Sequence, residues 1–224
     1  MKKKMKKLIA LVLSLLAVAS LLAGCGSGKG TTVNSGEKSV TFSLLSSPAS
    51  LDPATTTDGS AMMVETQLFS MLVDSKGGNS SEIKPDIAES WEISEDGLTY
   101  TFKLRDDVYF HNGKLLTADD VVYTFNRVMT EPYTSYYAAP IKSVEATDEH
   151  TFVAHLNYPF ADFLTLIGGI YFGICCEEAI TAGSDFMYKP VGTGPYKLEG
   201  GYIPGQAFKF VYNDQYYGAE PDIK

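Results

Sequence analysis

The chain has 224 residues, of which 45% are hydrophobic, 12% aromatic and 20% charged, and its formal net charge is −9. Five lysines precede Leu8 and no acidic residue precedes Glu37, so the net charge from Cys25 onward is −14. This composition indicates a globular protein with a sizeable core. The negative charge argues against a nucleic-acid-binding surface and does not favour binding to anionic lipid.

The first 24 residues have the pattern of a targeting segment. The five lysines are followed by an apolar run over residues 8–22, which ends in a Leu-Ala-Gly-Cys tetrapeptide at Cys25. This arrangement predicts a lipoprotein signal peptide over residues 1–24 and lipidation of Cys25. The alternatives are an ordinary secretory signal and an uncleaved anchor, although the run is short for a membrane span. Residues 25–38 are rich in glycine and poor in apolar side chains, which predicts a flexible tether.

A strand, a loop and a helix are predicted next. Residues 39–46 have the composition of a core strand, and residues 48–59 form a loop. Residues 61–73 carry apolar side chains at helical spacing, with Asp58 or Ser60 as the N-cap. From the residues alone, capping explains the polar stretch 55–60 better than ligand binding does. The alternative is that its hydroxyls and free N–H groups face a ligand.

The stretch from residue 85 to residue 129 contains the strongest local signals. Apolar and polar residues alternate on both sides of a Ser-Glu-Asp-Gly turn, which predicts a hairpin that begins near Trp91. A second turn is predicted at Asn112-Gly113, followed by a helix with Thr117 as its N-cap. We expect Trp91 to be largely buried against the apolar face of this helix.

The remaining elements are short. A loop over residues 130–140 contains three tyrosines, which either pack at a rim or line a ligand site. A second hairpin is predicted over residues 141–156, short helices over 160–167 and 177–182, and a strand over 170–174. Two further strands are predicted over residues 196–198 and 207–212.

Residues capable of catalysis or metal binding are present, but their spacing does not form a site. His150 and His155 are five residues apart on a predicted strand, and His111 stands beside a turn. We expect Cys175 and Cys176 to be buried small hydrophobic side chains rather than a redox or metal pair. No nucleophile–base motif or phosphate-binding loop is present in the sequence. These absences agree with a binding protein, and we expect no catalytic residue, metal or cofactor.

Three segments carry a family resemblance. They are PDIAESWEISEDGLTYTFKLRDDVYFHNGKLLTADDVVYTF from Pro85, KPVGTGPYKLEG from Lys189 and YNDQYYG from Tyr212. Together they resemble the signature of solute-binding family 5, the oligopeptide- and dipeptide-binding proteins of ABC importers. With the segment SLDPA near Leu51, the resemblance spans roughly residues 39–224.

The resemblance implies an α/β (mixed α+β), periplasmic-binding-protein-like fold with two lobes that close on a ligand. It implies that residues 39–60 and 190–224 belong to the sheet of the first lobe, that residues 61–189 form an inserted subdomain, and that the second lobe is absent. The expected function is capture of peptides outside the cell and delivery to ABC permease subunits, from a lipid anchor on the extracytoplasmic face of the cell membrane.

The resemblance also places a set of residues beside the ligand: Thr57, Asp58, Gly59, Ser60, Tyr136 and Tyr137. Three alternatives remain open at this point. They are a receptor of the same family for another solute such as nickel, haem or an oligosaccharide, a surface interaction protein without a transport role, and a hydrolase.

Overall fold

The structure is a computed structural model that describes residues 38–75, 82–183 and 185–224, and residues 38–224 fall into one compact unit. The helices are α1 (Gly59–Leu68), α2 (Ala118–Thr130), α3 (Phe163–Ile167) and α4 (Glu177–Thr181), with a 3₁₀ helix at Ile170–Phe172. The strands are β1 (Val73–Asp74), β2 (Lys84–Pro85), β3 (Ala88–Ile93), β4 (Thr99–Leu104), β5 (Ile141–Asp148), β6 (Thr151–Leu156), β7 (Tyr196–Leu198) and β8 (Phe210–Tyr212). The predicted signal peptide, Cys25 and nearly all of the predicted tether lie outside the described residues.

Both predicted hairpins are confirmed, and they join into one four-stranded antiparallel sheet in the order β3-β4-β6-β5. Phe102 on β4 is paired with Phe152 on β6, and their ring centroids are 5.9 Å apart. Both side chains are fully buried, because alternate residues of each strand face the same side of the sheet. Burial of each such aromatic ring stabilises the fold by about 1.5–3 kcal/mol.

Helix α2 covers one side of this sheet, as its apolar pattern predicts. Its N-terminus is closed by Asp120, whose carboxylate accepts hydrogen bonds from the backbone N–H (3.1 Å) and the hydroxyl (3.2 Å) of Thr117. Val121, Phe125 and Val128 are fully buried, and the Phe125 ring lies 4.7 Å from that of Phe152. The helix packs on β5 and β6 and fixes the position of Arg127 beside the first loop of the chain.

The expectation that Trp91 packs against the apolar face of α2 is wrong, although its side chain does pack against the core. Trp91 lies on β3, an outer strand of the sheet, and is half-buried. Its ring packs against Phe102 at 6.5 Å, whereas α2 covers the opposite half of the sheet. Strand order decides this exposure, because a side chain on an outer strand has a neighbouring strand on one side alone.

Two strand predictions are also wrong. Residues 39–46 form no strand, and Val40, Phe42 and Leu45 are exposed. An apolar run becomes a strand when a neighbouring backbone satisfies its N–H and C=O groups, and no described strand pairs with these residues. The predicted strand over residues 170–174 is a 3₁₀ helix, closed by a hydrogen bond from the N–H of Gly173 to the carbonyl of Ile170 (2.8 Å).

Helix α1 ends earlier than predicted, at Leu68, whose carbonyl is bound by another part of the chain. The N–H of Gly194 donates to the carbonyl of Leu68 (2.9 Å), and the chain then becomes extended at Phe69. A Cβ atom on Gly192 would lie 2.1 Å from the same carbonyl oxygen, so only glycine allows this approach. Besides the core between α2 and the four-stranded sheet, a second cluster of buried apolar residues surrounds α1. It includes Leu51, Val64, Leu68, Phe69 and Cys175.

No helix within the described ranges 38–75, 82–183 and 185–224 is long and apolar enough to cross a membrane.

Candidate functional site

The turn before α1 is built by short polar side chains that fix one another. Asp58 is the N-cap, and its carboxylate accepts a hydrogen bond from the N–H of Ser60 (2.9 Å). The hydroxyl of Ser60 is held in turn by the hydroxyl of Ser46 (2.9 Å). Thr57 and Gly59 are exposed, and apart from the chain neighbours and the backbone of α1, no heavy atom lies within 4 Å of the Cβ position at Gly59. The turn therefore presents open backbone on a rigid support.

A buried ion pair anchors the loop that leads to this turn. The Arg127 guanidinium donates two hydrogen bonds to the carboxylate of Asp52, at 3.0 and 2.7 Å. The hydroxyl of Thr134 donates to the carbonyl of Ala54 (2.9 Å). Burial alone would lower the pKa of Arg127, but the hydrogen bonds and charge of Asp52 outweigh burial and raise the pKa. Helix α2 thus holds the loop in one position.

The tyrosine loop reaches α1 through a chain of ring contacts. Tyr136 is 82% exposed, and its ring lies 5.6 Å from that of Tyr137 in an edge-on arrangement. Tyr137 stacks on Tyr171 with 4.2 Å between ring centroids, and its hydroxyl lies 3.3 Å from the Tyr171 hydroxyl. The Tyr171 hydroxyl is 3.7 Å from the sulfur of Met62 on α1. Burial and the hydrogen bond with Tyr137 raise the pKa of Tyr171 to about 12.

These contacts locate the six predicted ligand residues in two groups. Residues 57–60 form the turn and first residues of α1, and Tyr136 and Tyr137 lie in the loop after α2. Tyr171 and Met62 connect the two groups, and neither was singled out in the sequence as a ligand residue. Tyr171 lies in the segment that the sequence predicted as a strand, where its ring could not be assigned to either side.

Glu65 is a second residue that sequence reasoning missed. Its side chain is 0% exposed, and neither carboxylate oxygen has a hydrogen-bond partner among the described residues. Burial, followed by the charges of Asp52 and Asp58, raises the pKa of Glu65 from 4.5 to about 8. The signal was present in the sequence, because Glu65 stands at positions i+4 from Ala61 and i−3 from Leu68, within the apolar stripe of α1.

The motifs that carry the family resemblance contact one another rather than the candidate site. His111, in the Asn-Gly turn, lies between the two glycines of the Gly-Thr-Gly segment. The N–H of His111 donates to the carbonyl of Gly192 (2.9 Å), and its ring Nε2 lies 3.2 Å from the carbonyl oxygen of Gly194. Burial lowers the pKa of His111 to about 4. His111 is therefore a neutral structural residue near pH 7, as its place beside the turn predicts.

The third motif joins this arrangement. The hydroxyl of Tyr217 donates a short hydrogen bond to the carboxylate of Asp86, which also accepts from the N–H of Met71 (3.2 Å). The Arg105 guanidinium lies 5.2 Å from the centre of the Tyr217 ring. The conspicuous motifs thus stabilise the fold, whereas the candidate site is formed by less distinctive residues.

The metal-ligating side chains and the cysteines of the described residues bear on two kinds of chemistry, metal binding and thiol reactivity. No group of three His, Cys, Asp or Glu side chains in the described part of the chain is arranged to hold a metal ion. Cys175 and Cys176 are buried free thiols, as expected, and burial raises the pKa of Cys175 well above its usual value. A protonated buried thiol is a poor nucleophile.

The chain matches known binding proteins over most of its length. The family model for bacterial extracellular solute-binding proteins, family 5 Middle, matches residues 82–224. Heme-binding protein A of Haemophilus influenzae is 32% identical over 96% of this chain and 44% of its own length. The dipeptide-binding protein of Escherichia coli is 31% identical over 83% of this chain and 39% of its own length.

Solved structures agree in fold. The periplasmic binding protein DppA from Helicobacter pylori, in complex with the peptide STSA, has a TM-score of 0.69 and 32% identity over 78% of this chain and 39% of its own length. A binding protein from A. tumefaciens R10 in complex with mannopinic acid has a TM-score of 0.73 and 33% identity over 80% of this chain and 37% of its own length.

The chain therefore spans 37–44% of the length of these proteins. The comparisons confirm the mixed α/β fold of the two-lobed periplasmic binding proteins. The chain belongs to the bacterial extracellular solute-binding proteins of family 5.

Proposed function

We propose that this chain is the peptide-binding portion of a receptor that captures peptides outside the cell and delivers them to an ABC permease. The observation that carries the proposal is the turn at residues 57–60, which exposes backbone on a rigid, hydrogen-bonded support. An extended peptide binds such backbone through main-chain hydrogen bonds, which do not depend on peptide sequence. The N–H of Ser60 is already bound by Asp58, so the exposed backbone at Thr57 and Gly59 is the part of the turn that is open to a peptide.

The tyrosines Tyr136 and Tyr137 extend this surface. A tyrosine ring offers a large contact area with little loss of conformational entropy, and its hydroxyl adds a hydrogen bond. Stacking on Tyr171 holds Tyr137 in place, while Tyr136 is open to a ligand. We propose that peptide side chains lie against these rings while the peptide backbone lies along residues 57–59.

Calorimetry with a mixed library of short peptides tests this function. Two-lobed receptors gain affinity by closing around the ligand, so we expect these 224 residues alone to bind weakly. The expected Kd is on the order of 100 µM or higher. Contacts that form only on closure are missing, and each ~1.4 kcal/mol of binding free energy lost in this way weakens binding tenfold. Binding of equal strength by this chain and by a longer product with a second lobe would contradict the two-lobe account of the site.

Two variants assign the binding to the candidate site. Gly59→Val adds side-chain atoms where the peptide backbone would approach, and Tyr136→Ala removes an exposed ring. We expect each variant to weaken peptide binding at least several-fold without loss of folding. Tyr158→Ala is the matched control, because Tyr158 is also an exposed tyrosine but is not part of the candidate site. Equal affinities for all three variants would exclude this surface.

A second candidate ligand follows from the relatives. The names of the matched proteins include haem and mannopinic acid as well as peptides. Exposed tyrosine at the candidate site is compatible with a flat aromatic ligand such as haem. Absorbance of the natively purified protein in the Soret region distinguishes haem from peptide, and mass spectrometry of co-purifying small molecules identifies other solutes.

We also propose that the protein is a lipoprotein anchored through Cys25. The support is the sequence of residues 1–25, with its lysines, apolar run and Leu-Ala-Gly-Cys end. Cys25→Ser should prevent incorporation of labelled fatty acid and either release the protein or leave an unprocessed precursor. Equal labelling of both forms would contradict the anchor, and co-isolation of permease subunits with the unaltered protein would support delivery.

A further inference from the structure

Glu65 is a buried acid that the proposed function does not use. It lies in the middle of α1, and neither of its oxygens is hydrogen-bonded to a described residue. An ionised carboxylate that is removed from water without a partner is strongly unfavourable. A buried acid in this position can avoid that cost by keeping its proton.

The groups around Glu65 offer it no counter-charge. Four groups act electrostatically on Glu65: Asp52, Asp58, Tyr171 and Cys175. Further titratable groups lie on β7, which packs against α1, and beside Asp52: Tyr196, Lys197 and Arg127. Of the two cations, Arg127 is bound bidentately by Asp52, and Lys197 is 3.6 Å from Asp214. The acidic neighbours Asp52 and Asp58 oppose a negative charge on Glu65.

Helix α1 links Glu65 to the candidate ligand site. The helix begins at Gly59, so Glu65 lies less than two turns from the exposed turn. Asp58 belongs to this turn and also acts electrostatically on Glu65, as does Tyr171, which supports Tyr137. A change in the charge of Glu65 therefore acts on both groups of site residues.

We infer that Glu65 carries a proton in the folded protein, and that loss of this proton loosens α1 and its preceding turn so that ligand capture becomes sensitive to pH. The second part rests on the proposed function. The first part does not, because it concerns stability alone.

The sign of the pH dependence follows from proton linkage. The pKa of Glu65 is raised from 4.5 to about 8, so the folded protein keeps a proton that the unfolded chain loses. This contribution to stability is complete below pH 4.5, declines as the pH rises towards 8 and is lost above it. His111 acts in the opposite direction, mainly between its folded pKa of about 4 and 6.5, so the range from pH 6.5 to 8 reports chiefly on Glu65.

Urea unfolding of the full chain at pH 6.5 and pH 8 tests the first part. Between these values we expect the folding equilibrium constant of the wild type to fall by roughly tenfold. Glu65→Gln keeps the shape of the side chain and cannot titrate, so its equilibrium constant should change much less. Glu92→Gln, at an exposed glutamate of β3, should follow the wild type. If the folding equilibrium constant of Glu65→Gln fell between these pH values as much as that of the wild type, the inference would be overturned.

Two further measurements keep the inference testable if Glu65→Gln does not fold, and they separate the protonation of Glu65 from its effect on ligand capture. In wild-type protein near pH 7, the infrared carbonyl band of a protonated carboxylic acid should be present, and its absence would also overturn the inference. Peptide affinity of the wild type should fall between pH 7 and pH 9, and that of Glu65→Gln should not. Equal pH dependence of peptide affinity in both proteins would overturn the coupling between Glu65 and the site. Absence of any peptide binding would contradict the proposed function, and the unfolding experiment would then still decide whether Glu65 carries a proton.

Discussion

Removal of the Arg127 side-chain charge tests how the candidate site is supported. Arg127→Met keeps most of the apolar stem and leaves the Asp52 carboxylate without its cation. The two side chains are 13% and 7% exposed, so this pair is largely shielded from water. Breaking a buried pair by removing one partner costs about 3–5 kcal/mol, and the residual exposure of Arg127 places the expected loss near ~3 kcal/mol.

A matched control separates burial from charge. Lys189→Met removes an ion pair with Asp185 at 3.7 Å, in which the side chains are 67% and 62% exposed. Exposed pairs contribute about 0–1 kcal/mol, so this variant should be nearly neutral. The double variant Asp52→Asn with Arg127→Met should recover part of the loss, because it no longer buries an unpaired charge.

Urea unfolding followed by circular dichroism measures these differences, and peptide affinity of the folded variants measures their effect on the site. We expect Arg127→Met to weaken peptide binding as well, because the loop that carries residues 57–60 loses its anchor. If Arg127→Met lowered the free energy of unfolding by less than ~1 kcal/mol, as little as Lys189→Met, the reasoning would be refuted. An anchoring role requires the buried pair to contribute more to stability than the exposed pair does.

Four further variants test other parts of the structure. Gly192→Ala places a Cβ 2.1 Å from the Leu68 carbonyl oxygen and should lower the free energy of unfolding by about 1–3 kcal/mol. Gly59→Ala meets no atom of another segment within 4 Å and should change that free energy by less than about 1 kcal/mol. Equal effects of the two variants in chemical denaturation would contradict the close approach at Gly192. His111→Gln should flatten the loss of stability that the wild type shows as the pH falls from 6.5 towards 4, because His111 must stay neutral in the fold; a wild-type slope in the variant would argue against this. Trp91→Ala should cost about 1–3 kcal/mol by urea unfolding, less than a fully buried tryptophan, and a larger loss would mean that the outer strand is covered.

Local patterns predicted α2 and both hairpins because their signals are contained in neighbouring residues. Thr117 and the spacing of Val121, Phe125 and Val128 are sufficient to specify a capped amphipathic helix. The alternation around the first turn specifies a hairpin in the same way. The family resemblance predicted the fold class, because its motifs are long and specific.

The failures have a common cause, which is that burial and pairing depend on distant parts of the chain. Residues 39–46 have the composition of a strand, but composition supplies no partner strand. The alternation that places Trp91 on a strand does not reveal that this strand lies at the outer side of the sheet. The burial of Glu65 is of the same kind, because the apolar spacing that predicts α1 does not show which distant segments cover the single acid within it.

Photo-cross-linking tests the central claim most directly, namely that residues 57–60 together with Tyr136 and Tyr137 form a peptide-binding surface. A short peptide with a photoreactive side chain is irradiated with the protein, and the labelled residues are mapped by mass spectrometry. The account predicts labels within residues 57–63 and 133–137 that disappear with excess unlabelled peptide. Competed labels confined to the outer side of the four-stranded sheet, around Glu145 and His155, would contradict it.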